Sequence, residues 1–170
     1  MATTYTVLDQ PTILYTSDDA VTTVYDYAKF NVGQYRFLTD GRVFRFIRFS
    51  DGTANAAGTA GQLVYYTATA VETGVVTNDA SDASLNRAAG VLAAGMTDGQ
   101  LGWMQVRGVC TVNTNGDDDI TTGLALIGST VDGGVNSMAA NTAATNKIVG
   151  FSLASDDDTA NTVVAELCLG

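Results

Sequence analysis

Apolar and β-branched residues occur in short runs, each closed by a cluster of Gly, Asn, Asp, Ser or Thr, and this punctuation limits the fold more than any other feature of the sequence. The runs are Gln62 to Thr67, Ala88 to Ala94, Gln100 to Asn113, Gly123 to Ile127, Lys147 to Ala154 and Thr162 to Leu169. Most are too short for a packed helix, and the strong helix formers are scarce: two Lys and two Glu stand against eighteen Gly. Short strands with turn chemistry between them predict an all-β chain, a compact sandwich or barrel rather than a parallel α/β sheet. No repeat of fixed period points to a solenoid or propeller.

The most legible run is Gly99 to Cys110, GQLGWMQVRGVC, which holds the only tryptophan. Leu101, Trp103, Gln105, Arg107 and Val109 alternate with Gly102, Met104, Val106, Gly108 and Cys110, so both faces carry apolar residues. That pattern fits a central strand covered on both sides. Met104, Val106 and Cys110 are expected to face the core, and Trp103, Gln105 and Arg107 a second layer or a neighbouring subunit. The remaining expected core is Leu124, Leu126, Val149, Phe151, Leu153, Val163, Ala165, Leu167 and Leu169, each set chosen by period-two spacing.

The N-terminal part is less regular. Met1 to about Asp19 has no sustained period and contains the only proline, Pro11, so it reads as an extended arm. Val21 to Tyr27 and Tyr35 to Leu38 have strand composition. The Asp40-Gly41 turn leads into RVFRFIRFS, Arg42 to Ser50, and Ser50 to Gly61 is a small, polar, Gly-rich loop. The expected organisation is an N-terminal arm and β subdomain over 1–50, a Gly/Ala-rich loop over 51–61 and a sandwich or barrel core over 62–170. Ser81 and Asp82 are capping residues, so one helical turn is expected within Ala80 to Ala89.

Composition then narrows the chemistry. A net charge of −10 argues against nucleic-acid and membrane partners, whose recognition depends on clustered Lys and Arg. The N-terminus has no basic-then-apolar leader and no apolar run is long enough to cross a bilayer, which implies a chain made in the cytoplasm. In that setting Cys110 and Cys168 are expected as two reduced, buried thiols. There is no histidine, hence neither the commonest general base nor the commonest metal ligand. No nucleophile elbow, phosphate loop, dinucleotide fingerprint or zinc spacing is present. We therefore expect no enzyme, no catalytic residues, no cofactor and no metal. The acidic stretches Asn113 to Asp119 and Asp156 to Asp158 lack the ligand order of a calcium loop and are expected to be solvated turns.

One local concentration stands out. Of the eight basic residues, Arg36, Arg42, Arg45 and Arg48 fall in one short aromatic span, with Phe44 and Phe46 on the same strand face as Arg42 and Arg48. Arg and aromatic residues are enriched at protein interfaces. The candidate protein–protein interface is therefore Arg42, Arg45, Arg48, Trp103, Gln105 and Arg107. Internal pairing of the arginines and a core position for Trp103 are the competing readings.

In sequence order, GRVFRFIRF (Gly41 to Phe49), GQLVYY (Gly61 to Tyr66), AAGVL (Ala88 to Leu92), GQLGWMQVRGVC, ITTGLAL (Ile120 to Leu126), NKIVGFSLA (Asn146 to Ala154) and TVVAEL (Thr162 to Leu167) resemble the capsid decoration, or head cement, proteins of tailed phages. The resemblance covers roughly residues 40 to 170. It implies a non-enzymatic structural protein of the virion, assembled in the host cytoplasm and placed on the outer surface of an expanded capsid. The implied partner is the major capsid protein, bridged and stabilised by this chain, often as a homotrimer. An N-terminal extension would add main-chain hydrogen bonds to a capsid subunit. Two alternatives are a glycan-binding β domain of a phage fibre or surface adhesin, using Trp103 and exposed tyrosines, and a structural subunit that assembles without a separate shell.

Overall fold

The computed structural model describes residues 19–67, 74–81, 83–114, 116, 120–138, 147–156 and 161–169, with the backbone alone over 83–86. Met1 to Asp18, most of the expected arm, lie outside the described residues. The ten strands are β1 (Tyr35–Phe37), β2 (Val43–Ser50), β3 (Leu63–Thr67), β4 (Val75–Thr77), β5 (Ala83–Leu92), β6 (Leu101–Asn113), β7 (Ala125–Gly128), β8 (Val135–Ser137), β9 (Ile148–Ser152) and β10 (Thr162–Cys168).

Five strands close a barrel. The ring runs β2–β4–β3–β5–β6 and returns to β2, all pairings antiparallel except β2–β4. Closure rests on six paired positions between β2 and β6, from Val43↔Arg107 to Arg48↔Leu101. It removes the free edges an open sheet would expose. The C-terminal half of β6 runs on past the barrel to pair with β10, and β9, β7 and β8 continue the sheet from there. The fold is all-β, as the punctuated sequence predicts. β2 is hydrogen-bonded into the same sheet as the strands from Leu63 onward, and 51–61 is the turn between β2 and β3.

The main core is built from alternate residues: Ile47 and Phe49 of β2, Leu63 and Tyr65 of β3, Met104 and Val106 of β6, and Val163, Ala165 and Leu167 of β10. On β10 the alternation is unbroken, with Thr162, Val164, Glu166 and Cys168 exposed. On β9 it fails. Leu126 pairs with Gly150 but Ile127 pairs with Ile148, so Val149 is an extra residue, a β-bulge. A bulge shifts every later side chain to the other face. Val149 and Ser152 therefore point inward, and Phe151 and Leu153, expected in the core, are 46% and 45% exposed. Leu124 is only half-buried.

Three other expectations change. Val21 to Tyr27 is not a strand: only Tyr25 bridges to Leu101, by N–H···O bonds of 2.8 and 2.9 Å in both directions. A strand would put Tyr25 and Phe30 on opposite faces, whereas the bends after Tyr25 bring their rings to 5.9 Å. The expected helical turn is replaced by β5, which is extended from Ala83 and pairs with β3 and β6. Pairing on two edges supplies the hydrogen bonds that a capped single turn cannot. Cys110 and Cys168 are both free thiols, but Cys168 is exposed because it occupies an outward position of β10.

The 51–61 loop is pinned to the barrel. Gly58 and Met96 exchange backbone hydrogen bonds of 2.8 and 3.0 Å. A Cβ at Gly58 would lie 2.6 Å from Leu92 Cδ1 and 3.0 Å from the Phe49 ring, so a larger residue would have to displace buried Leu92. Buried Asp79 holds the other end, accepting hydrogen bonds from Thr53 Oγ1 (3.2 Å), Ala54 N–H (3.0 Å) and the Ser81 N–H and hydroxyl (2.8 and 2.6 Å).

Candidate functional site

The outer face of the β2–β6 seam carries Phe44, Phe46, Leu101 and Trp103, and residues 19–38 fold over it. Phe46 and Trp103 are directly paired across the strands with ring centroids 5.0 Å apart. Phe30 caps both, at 5.3 and 5.2 Å, and Tyr25 lies against Phe30 and Phe46. Tyr25 donates its hydroxyl to Asp19 at 2.7 Å, and Lys29 pairs with the same carboxylate. Burial and then the Asp19 bond push the Tyr25 hydroxyl up to about 12.

This second layer corrects two candidate interface residues. Trp103 is 2% exposed within the single chain, so it presents no surface to a partner or a glycan. Gln105 is also buried. Its amide donates to the carbonyls of Arg107 and Val109, both at 3.1 Å, which satisfies a polar side chain inside the chain. A strand face with Trp, Gln and Arg reads as a docking face because the sequence does not show that the irregular 19–38 segment covers it.

The arginines do not form one patch. Arg42 is bound to Asp40 at 2.7 Å and lies over the Phe44 ring. Arg45 points the other way, its guanidinium between the Tyr35 and Tyr66 rings at 5.6 and 5.4 Å and its Nη1 donating to the Tyr66 hydroxyl. Arg48 is exposed farther along β2. Arg107 is exposed as well. An extra residue in β6 opposite Val43 and Phe44, followed by Gly108 at φ 89°, interrupts the alternation there. It sets Arg107 beside Phe37 and Val43, away from Gln105. Of the six candidates, Arg42, Arg45, Arg48 and Arg107 retain surface, in separate places.

A different surface is open. Val109, Glu166 and Phe151 form one cross-strand row on β6, β10 and β9, and Thr111, Val164 and Leu153 form the next. Val109, Phe151, Leu153 and Val164 are all exposed. A groove of about 540 Å³ borders this face, lined in part by Arg42, Phe44, Gln105, Val109 and Val164. Sequence reading missed it for two reasons: the β9 bulge hides the direction of Phe151, and Val164 gains meaning only beside its cross-strand neighbours.

Among the described residues, no group of three or more His, Cys, Asp or Glu gathers as a metal set. Asn115, Asp117 to Asp119, Asp157 and Asp158 lie outside the described residues. Asp156 is buried, and its N–H donates to the Ile120 carbonyl at 2.8 Å. Burial pushes the Cys110 thiol up to about 12, far from the range of a reactive thiolate.

No family model matches this sequence, and no curated protein sequence matches it. Among solved structures it is similar to the crystal structure of the head fibre gp8.5 N base of bacteriophage phi29, with a TM-score of 0.46 and 15% identity over 75% of this chain and 94% of that one.

Proposed function

We propose that this chain is a non-enzymatic structural protein of a phage virion that binds the outer surface of an assembled capsid and stabilises it by bridging capsid subunits. The observation that carries the reading is the ordered run of segments from GRVFRFIRF to TVVAEL resembling the capsid decoration proteins. Two features support it. The sequence lacks histidine and has no nucleophile elbow, phosphate loop, dinucleotide fingerprint or zinc spacing. Exposed Val109, Phe151, Leu153 and Val164, interspersed with Glu166 and Thr111 on β6, β10 and β9, offer a mixed apolar and polar surface of the kind used in protein association. Many copies on a lattice would multiply modest individual affinities, and a homotrimer would add avidity of its own.

Sedimentation tests the reading. Purified chain mixed with expanded heads stripped of their outer proteins should pellet with them, and it should stay in solution with dissociated capsid subunits. Failure to pellet with stripped heads removes the reading's main support. Light scattering on the free chain reports whether the trimer precedes the lattice.

A further inference from the structure

We propose that the open mouth of the barrel beside Arg45 is a binding site for a small oxyanion group, a phosphate or a carboxylate. A cavity of about 200 Å³ is lined there by Tyr35, Arg45, Tyr66, Lys147 and an apolar floor that includes Ala88 and Val106. A second cavity, of about 270 Å³, shares Tyr35 and Val106 with the first and adds Arg107. Three of the eight basic residues of an acidic chain therefore surround two adjoining cavities, and among the described lining residues there is no carboxylate. Arg107 also lines a neighbouring depression, which contains Asp40 and Glu166.

The donors are arranged rather than scattered. Arg45 is held between the Tyr35 and Tyr66 rings, which orient a guanidinium while leaving its charge unneutralised. Its Nη1 is used by Tyr66, but its Nε–H is buried with no acceptor among the described residues. The backbone of Gly33 packs against the Nε–Nη2 edge, where a Cβ would come within 3.5 Å of Nη2 and 3.9 Å of Nε, so the edge that can grip an oxyanion with two parallel bonds faces Gly33 rather than the cavity. The Tyr66 oxygen accepts from Arg45, which leaves its own O–H to donate. Exposed Lys147 adds a second charge to the lining. A buried, charge-bearing donor without an acceptor is costly, and an entering oxyanion removes that cost once the guanidinium turns its Nε–H from Gly33 towards the cavity. The inference does not depend on the virion reading.

The test uses the full chain and the Arg45 Nε–H resonance, followed in nitrogen–proton correlation spectra. One arm titrates inorganic phosphate against sodium chloride of equal ionic strength; the other titrates a hexaglutamate peptide. The expected result is a saturable shift of the Arg45 Nε–H signal with phosphate or peptide and none with chloride, weakened at least threefold in Lys147→Gln, an exposed site whose substitution leaves the core intact. Tighter binding of the peptide identifies a protein-borne carboxylate as the source, and tighter binding of phosphate a free anion. No saturable shift in either arm, or equal affinity in Lys147→Gln, overturns the proposal.

Discussion

Replacing Phe30 with alanine tests whether residues 19–38 are the lid over Trp103, and it leaves the only tryptophan in place as the reporter. The Phe30 ring lies 5.2 Å from Trp103, 5.3 Å from Phe46 and 5.9 Å from Tyr25, so one truncation removes three aromatic contacts. A fully buried Phe→Ala change costs about 3–5 kcal/mol. Phe30 is only half-buried, so about 2–3 kcal/mol is expected, which for a chain of this length lowers Tm by roughly 5–10 °C. Urea titration followed by tryptophan fluorescence measures the loss, and the native emission should shift to the red as water reaches the indole. Unchanged stability together with unchanged emission would show that Phe30 does not cover Trp103, and would return Trp103 to the list of interface residues.

Other positions give independent checks. Gly150→Ala should cost about 3 kcal/mol, because its Cβ would stand 2.3 Å from the Glu166 carbonyl oxygen and push β9 from β10. Gly99→Ala meets nothing within 4 Å and should cost only the roughly 1–2 kcal/mol of a left-handed alanine, both read by thermal melts. Asp79→Ala strips the acceptor from Thr53, Ala54 and Ser81, so a loss of about 3 kcal/mol and earlier proteolytic cleavage near residues 53–57 are expected. Burial raises both Tyr25 and Cys110 to about 12, so their contribution is whole below the unfolded values near 10 and 9 and is lost as pH climbs towards 12. Chemical denaturation at pH 8, 10 and 11 should show that decline, and Cys110→Ala should make it shallower.

Strands β3, β6, β7, β9 and β10 were legible because their apolar runs come from burial itself, as the unbroken pattern on β10 shows, whereas β4 and β8, three residues each, fell outside every expected run and β5 was expected only from Ala88. Where one residue was inserted, the same rule misled. Val149 reverses the faces of Phe151 and Leu153, and the insertion opposite Val43 and Phe44 separates Arg107 from Gln105. A glycine stands near each insertion, Gly150 and Gly108, but the glycines that recur throughout this chain hide that mark. The second layer was hidden for another reason: residues 19–38 cover Trp103 through bends and ring contacts, which leave no period to detect. Of the candidate site, the basic character of β2 and the opposite faces of Arg42 and Arg45 were readable from period-two spacing, but the partners of Arg45 needed the aromatic neighbours from β1 and β3.

Capsid stabilisation is measured most directly by heating DNA-filled heads, stripped of outer proteins, with increasing amounts of the chain and recording the temperature at which a DNA-binding dye reports genome release. The release temperature should rise with the amount of chain bound and level off when the lattice sites are full. A release temperature that stays constant, whether the chain binds without effect or does not bind, contradicts the proposed role.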